Sequence, residues 1–257
     1  MTKKNILILA TEGLTTNLLY NQLAQHFNIQ DVIIEDKISA KIILKSRIKT
    51  LGLPKVIGQV IFMLTIPKML NILSKKRVKQ IIQETNQDDN NIPINKITRV
   101  TSVNNKEIAK MINDRLPELI FVNGTRIISK KIIKSTNAPL INIHVGITPK
   151  YRGVHGGYWA LYNNDLANFG TTVHYIDSGV DTGDIIIQKS IKITKKDNFV
   201  TYPIIQYCLG LEILKKKIVK SNFDNIELKK PNMSESKLYY HPTFLQYAYK
   251  RILQNIK

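Results

Sequence analysis

An α/β fold is predicted: a mostly parallel, twisted sheet flanked by helices, interrupted once by a basic helical insertion at about residues 36–86. Three observations predict it. Strand-length apolar runs alternate with segments whose apolar residues recur at helical spacing, the rhythm of successive βαβ units. Asn123 and His144 fall at the carboxyl ends of two of those runs, where open parallel sheets hold their ligands. One lysine-rich stretch breaks the rhythm.

Met1-Thr2-Lys3-Lys4 leads straight into Asn5 to Ala10 (NILILA), a buried strand closed by the turn-like Thr11-Glu12-Gly13. From Thr15 to Phe27, Leu18, Leu19, Leu23 and Phe27 recur at helical spacing, with Thr15 or Thr16 as cap. Val32 to Ile34 supplies a second short strand, and Ile97 to Val100, Leu119 to Val122 and Leu140 to Ile143 supply three more. Helices are expected around Lys106 to Ile112 and ahead of Pro139. Beyond Asp184, Ile185 to Thr194 (IIIQKSIKIT) reads as a strand and Pro203 to Val219 as a helix. Leu238-Tyr239-Tyr240-His241-Pro242 then precedes a helix near Phe244 to Ile256.

Between Asp36 and Ile82 stand eleven Lys or Arg and a single acid, Asp36. The segment contains an apolar run of eighteen residues, Val56 to Leu73, close to the length of a membrane span. Gln59, Pro67, Lys68 and Asn71 interrupt it. The expectation is therefore a basic amphipathic helical element that either packs on the domain or lies on an anionic membrane surface.

Across 257 residues, 38 Lys+Arg against 19 Asp+Glu leave +19, a balance that steers anionic partners: phosphates, nucleotides, nucleic acid or acidic lipid. A composition rich in Lys, Ile and Asn contributes to the same count. Hydrophobic residues at 43% and charged residues at 22% are globular values, which excludes disorder as the default. The single Cys208 excludes an intrachain disulfide and a cysteine metal cluster. Histidines and carboxylates at metal-ligand spacing on one helix are lacking, so no metal is expected. The run Ile6 to Ala10 is too short for a signal peptide, and the cytoplasm is the expected address.

The chemistry concentrates in about forty residues. Asn142-Ile143-His144 is followed by Pro149-x-x-Arg152-Gly153, then Thr172-Val173-His174-Tyr175 and Asp181-Thr182-Gly183-Asp184. On a strand, Asn142 and His144 are two apart and share a face. When an amine attacks an acyl carbon, the acyl oxygen becomes anionic, and a preorganised amide donor such as Asn142 stabilises it by about 2.7–4 kcal/mol. A histidine, which titrates near neutrality, can take or shuttle the amine proton. Asp181 can orient that imidazole, stabilise its charge or hold a relaying water.

This ordered set, from about Pro117 to Gln188, resembles the core of the folate-dependent formyltransferases: the glycinamide ribonucleotide, methionyl-tRNA and sugar-amine N-formyltransferases. In outline it is most similar to the sugar enzymes. The resemblance implies a Rossmann-like formyltransferase catalytic domain over 1–200, with the insertion at 36–86, and a helical extension over 201–257 packed on it. It implies Asn142, His144 and Asp181 as catalytic residues and 10-formyltetrahydrofolate as donor, with 5-formyltetrahydrofolate as an unreactive analogue. Arg126, Ile127 and Ile128, after Gly124-Thr125, correspond to the pteridine-side wall, and Asp177 to Val180 to the loop that closes over it.

Departures from the family pattern bear on the acceptor. Val145-Gly146-Ile147-Thr148-Pro149 stands where many relatives have Pro-Ser-Leu-Leu-Pro. Thr11 to Asn17 matches the glycine-rich loop of the ribonucleotide enzyme loosely, and Glu12 there repels a phosphate held by backbone amides. Thr11, Gly13, Arg152 and His155, the last in Gly153-Val154-His155-Gly156-Gly157, are the expected acceptor contacts, and His174 is expected to pack behind the site. The sixty or so residues after the catalytic strands read as helices and a Tyr-rich tail, not a tRNA-gripping barrel. The expected amine is an amino sugar on a nucleotide, whose anionic handle suits +19. Alternatives are a lipid-linked or other small amine at a membrane face, and a non-catalytic folate-binding regulator. Partners are thus a small-molecule amine, a peripheral anionic membrane and a second copy in a homodimer; tRNA is not expected.

Overall fold

The first strand, β1 (Asn5–Ala10), is apolar on both faces, so it belongs in the middle of a sheet covered on both sides. The computed structural model of the chain describes residues 3–221, 223 and 226–257; Met1 and Thr2, the start of the expected lead-in, lie outside these. After β1 come α1 (Leu14–Ala24) and β2 (Asn28–Glu35), which pairs parallel to β1. Next are α2 (Ala40–Leu51), the long α3 (Leu53–Glu84) and β3 (Ile97–Val100), parallel to β2. α4 (Lys106–Arg115) leads to β4 (Leu119–Asn123) on the other side of β1, and the single turn α5 (Lys130–Ile133) leads to β5 (Leu140–His144). The short β6 (Arg152–Gly153), α6 (Gly156–Tyr162) and two antiparallel strands, β7 (Gly170–Tyr175) and β8 (Ile185–Ser190), follow. α7 (Thr201–Ser221), β9 (Leu238–Tyr239), which pairs with β6, and α8 (Phe244–Gln254) come last.

The sheet order is β3-β2-β1-β4-β5-β7-β8. Its direction of growth reverses between β1 and β4, the point where open α/β sheets admit ligands. Side-chain alternation sorts the core into two faces. Ile6 and Ile8 pack with Leu18 and Leu23 of α1 and Leu211 and Leu214 of α7; Leu7 and Leu9 pack with Ile108 and Ile112 of α4 and Ile132 of α5. Full burial of each such side chain contributes roughly 1.5–3 kcal/mol. The expected boundary at 200/201 therefore precedes a helix that shares the core of the sheet. On β5, Ile141 and Ile143 point into the α7 side, which sends Asn142 and His144 to the other face.

Several elements differ from the sequence reading: α1 follows Gly13 at its N-cap, not Thr15 or Thr16, and β8 stops at Ser190, short of Thr194. β2 begins at Asn28, ahead of the expected Val32, because Asp31 is buried in a strand by Arg115 at 2.7 Å and Thr98 at 2.9 Å. α3 continues through Pro67 as one helix. Gly156 and Gly157, assigned to no element from the sequence, begin the buried helix α6.

Candidate active site

His144, 5% exposed, ends β5. Its Nε2 lies 2.7 Å from the Tyr151 carbonyl oxygen and its Nδ1 lies 3.4 Å from Asp181 Oδ2. A carbonyl only accepts, so Nε2 carries the proton of that bond, and in the neutral ring Nδ1 keeps a lone pair on the Asp181 side. Asp181 sits in the left-handed region at φ 51° and is held there by the Gly153 N–H, which donates to Oδ2 at 2.8 Å. Its other oxygen is 3.7 Å from His174 Nε2.

His174 stands opposite Asn142 across the β5–β7 pair. Its Nδ1 donates to the Tyr175 carbonyl at 2.8 Å, which leaves Nε2 to accept from Asn142 Nδ2 at 3.3 Å. Burial holds its pKa below the ordinary histidine value, against the pull of Asp181. That keeps the ring in the neutral form that can accept. Asn142 thus spends one amide hydrogen on His174, and its second hydrogen is available to another oxygen. The four side chains form a row, Asn142 to His174 to Asp181 to His144.

Two glycines make room for the His144–Tyr151 bond. A Cβ on Gly146 would sit 2.7 Å from His144 Nε2 and 2.8 Å from the Tyr151 oxygen; a Cβ on Gly156 would sit 2.7 Å from Gly146 Cα. Neither position admits a side chain without moving the His144–Tyr151 bond. The Val145-Gly146 departure and the Gly153-Val154-His155-Gly156-Gly157 motif are two sides of one contact.

The other predicted residues divide into groups. Thr11 and Gly13 follow β1, two strands from β5, with the Thr11 hydroxyl donating to the Gly124 oxygen at 3.3 Å. Arg126 is clamped by Glu35, its Nε 2.7 Å from Oε2, and also donates to the Thr101 oxygen. Ile127 is 64% exposed beside it, whereas Ile128 is buried in the core with α4 and α5. Asp177 shapes its loop by accepting from Gly179 N–H and the Thr182 hydroxyl, and Arg152 ties that loop down through the Val180 oxygen at 2.8 Å while donating to Ser236 Oγ. Glu12, the feared phosphate repellent, is paired with Arg99 at 3.0 Å.

His155 faces His241, Nε2 to Nδ1 3.0 Å, and rests on the Phe199 ring at 4.3 Å between centroids. Burial, then each other's proximity and Arg47, push His155 down to about 3; burial and Arg47 push His241 down to about 4. Sequence reasoning missed His241 as a partner, since the two histidines are separated by 86 positions. It also missed the Tyr151 carbonyl and the bond that turns His174 from a packing residue into the acceptor for Asn142. The signal available for the last was the register of two strands that each carry a polar residue at the same level.

Comparisons with known proteins place the fold and the family. A model described as formyl transferase matches residues 35–203. A methionyl-tRNA formyltransferase of Halothermothrix orenii is 34% identical over 103 residues, 40% of this chain and 32% of that protein. One of Thermodesulfovibrio yellowstonii is 37% identical over 101 residues, 39% and 32% of the two chains. The match thus spans about a third of the length of these curated relatives. Among solved structures, a 4-N formyltransferase from Francisella tularensis has a TM-score of 0.56 at 17% identity, covering 92% of this chain and 76% of its own. An N-formyltransferase from Helicobacter canadensis, in complex with folinic acid and dTDP-3-aminofucose, scores 0.55 at 19% identity over 93% and 71%. With a family model covering most of the chain and the same fold in these structures, the chain belongs to the formyl transferase family.

Proposed function

We propose that the chain is an N-formyltransferase that moves a formyl group from 10-formyltetrahydrofolate to a primary amine, and that the amine belongs to an amino sugar carried on a nucleotide. The observation that carries the reading is the row of Asn142, His174, Asp181 and His144 at the open end of β5.

The residues at that end suit the donor: an amide hydrogen left over at Asn142, the His144 imidazole, and a fixed carboxylate. The folate supplies the formyl carbon and leaves as tetrahydrofolate once its nitrogen regains a proton. Asn142 Nδ2 donates to the formyl oxygen as that oxygen gains charge. His144 accepts the amine proton at Nδ1, directly or through water. Asp181, 3.4 Å away, then faces a full positive charge, which favours the transfer. The Nε2 bond to Tyr151 holds the ring in place throughout. On the donor side we place Arg126, Ile127, Ile128, Asp177 and Val180; on the acceptor side, Arg152, His155, Thr11 and Gly13. A silent folate-binding regulator would not need all of Asn142, His144 and Asp181, which are present.

Two points favour a sugar nucleotide as the acceptor. Solved structures with this fold include sugar N-formyltransferases, and the residues after β8 fold back as helices around a tail strand. Methionyl-tRNA is the rival that the curated relatives bring. The exposed apolar and basic face of α3 favours, as a second reading, an amine carried on a lipid at a membrane face, with the protein peripheral to it. In a test, the protein is incubated with 10-formyltetrahydrofolate and, separately, a 4-amino-4,6-dideoxy sugar nucleotide, methionyl-tRNA and simple amines. Tetrahydrofolate release with N-formylation of the sugar is expected. Turnover with methionyl-tRNA alone would move the acceptor, and no folate turnover with any amine would overturn the reaction.

A further inference from the structure

α3 is, by length and composition, long and apolar enough to cross a membrane, yet it lies along the outside of the protein. One side is tied down along its length. Val56 and Phe62 are buried, and Gln59 donates to the His241 oxygen at 2.6 Å. Ser74 accepts from Asn198 at 2.8 Å, and Arg77 pairs with Asp197 at 2.8 Å. A helix so fastened cannot thread a bilayer without carrying its polar partners into hydrocarbon.

The opposite side is uncovered. Ile57, Ile61, Leu64, Met69, Ile72 and Leu73 are between 47% and 71% exposed. Ile57, Ile61, Leu64 and Ile72 recur at helical spacing, and Lys68, Lys75 and Lys79 continue the same exposed row. α2 and α3 together hold ten Lys or Arg and one acid, Glu84, which Arg77 already pairs at 3.0 Å. α8, packed beside α3, exposes Leu245, Ile252 and Leu253.

We infer that the outward face of α3 is a docking surface for an anionic lipid bilayer, with the helix lying in the plane of the interface. Its apolar row enters the acyl boundary while the lysines reach the headgroups. The charge selects this occupant over the others. A second copy seated on the same face would set lysine rows against each other, and a nucleic acid gains nothing from a row of Ile and Leu. The inference stands apart from the identity of the amine. It has a consequence for it, because Gln59 bonds His241, His241 bonds His155, and His155 lies two residues from Gly153, which holds Asp181. The bilayer face is thus about one helix diameter, ~10 Å, from the elements that flank the site.

Flotation with vesicles of phosphatidylcholine, with and without phosphatidylglycerol, tests the surface, using the full chain. The protein should float with the anionic vesicles, stay in the soluble fraction with phosphatidylcholine alone, and lose binding on the order of tenfold or more when Ile61→Glu and Leu64→Glu are combined. Both side chains point outward, so circular dichroism of the double variant and its formyl transfer to a soluble amine should match the parent. A protein that stays soluble with anionic vesicles at low salt would overturn the inference. So would a double variant that floats as well as the parent, or a parent dimer that the double variant dissolves.

Discussion

Asn142 donates to His174 and has a hydrogen to spare, which is the residue-scale basis of the proposed chemistry. Asn142→Ala should lower kcat by ~10²–10³ without unfolding the chain, measured by tetrahydrofolate release. An unchanged kcat would remove Asn142 from the mechanism. His174 acts through Asn142, so His174→Phe keeps a ring of similar size and removes the acceptor. A kcat loss of about tenfold, with a smaller change in KM for the folate, is expected from one lost hydrogen bond. If KM rises instead and kcat holds, the residue shapes the pocket and does not position the amide. His155 and His241 carry a different consequence. Burial and Arg47 hold both rings neutral well below the ordinary histidine pKa of 6.5, at about 3 and about 4. The unfolded chain therefore binds protons that the native chain refuses. Stability is intact above about pH 6.5 and falls as pH drops from there towards 4, by up to about 1.4 kcal/mol per pH unit for each ring. Urea midpoints at intervals across that range should fall less steeply for His241→Asn than for the parent; parallel slopes would show that the pair is not titrating as described.

At the scale of elements, α3 shows what keeps a partly apolar, mostly exposed helix in place. Asp197 is 1% exposed and is met by Arg77, 14% exposed, while Thr194 donates to its second oxygen through both its amide and its hydroxyl. Arg77→Ala leaves a buried carboxylate with its cation gone and should cost about 3 kcal/mol in urea unfolding, whereas Lys76→Ala, one position along and exposed, should stay within about 0.5 kcal/mol. Equal costs would mean that the pair does not fasten the helix. The helical character of this insertion was legible because Ile, Leu and Lys keep a 3.6-residue period over many turns. Its outward apolar row was not, since periodicity reports a face and not which neighbour covers it. β5 was legible for the opposite reason: alternation alone places Asn142 and His144 together, and the motif order adds Asp181. α6 was hidden by Gly156 and Gly157, which lower helix propensity but are required, Gly156 where α6 meets Gly146 and Gly157 where it meets the Gln206 side chain. β2 is longer than its apolar run indicates because it includes Asp31, whose burial depends on Arg115, a residue far along the chain.

For the whole molecule the sign of the charge was legible, its distribution was not. A balance of +19 disfavours the compact state through self-repulsion, while ion pairs act the other way. The exposed pairs Arg99–Glu12 and Lys216–Glu212 contribute little, and salt weakens them. Salt also screens repulsion among the lysines that outnumber these partners, with the Debye length falling from ~10 Å at 0.1 M to ~3 Å at 1 M. Because unpaired positive charge predominates, the screened repulsion should win. Raising potassium chloride from low to molar concentration at pH 7.5 should lift Tm by about 2–4 °C for each kcal/mol of repulsion relieved. Potassium chloride is the right salt for this, since sulfate or phosphate would strengthen burial by exclusion and could also occupy an anion site. A Tm that falls with potassium chloride would mean that the folded surface already places its acids where they neutralise the lysines. That would also weaken the case for an anionic acceptor, because the field said to draw it in would be largely cancelled before any ligand arrives.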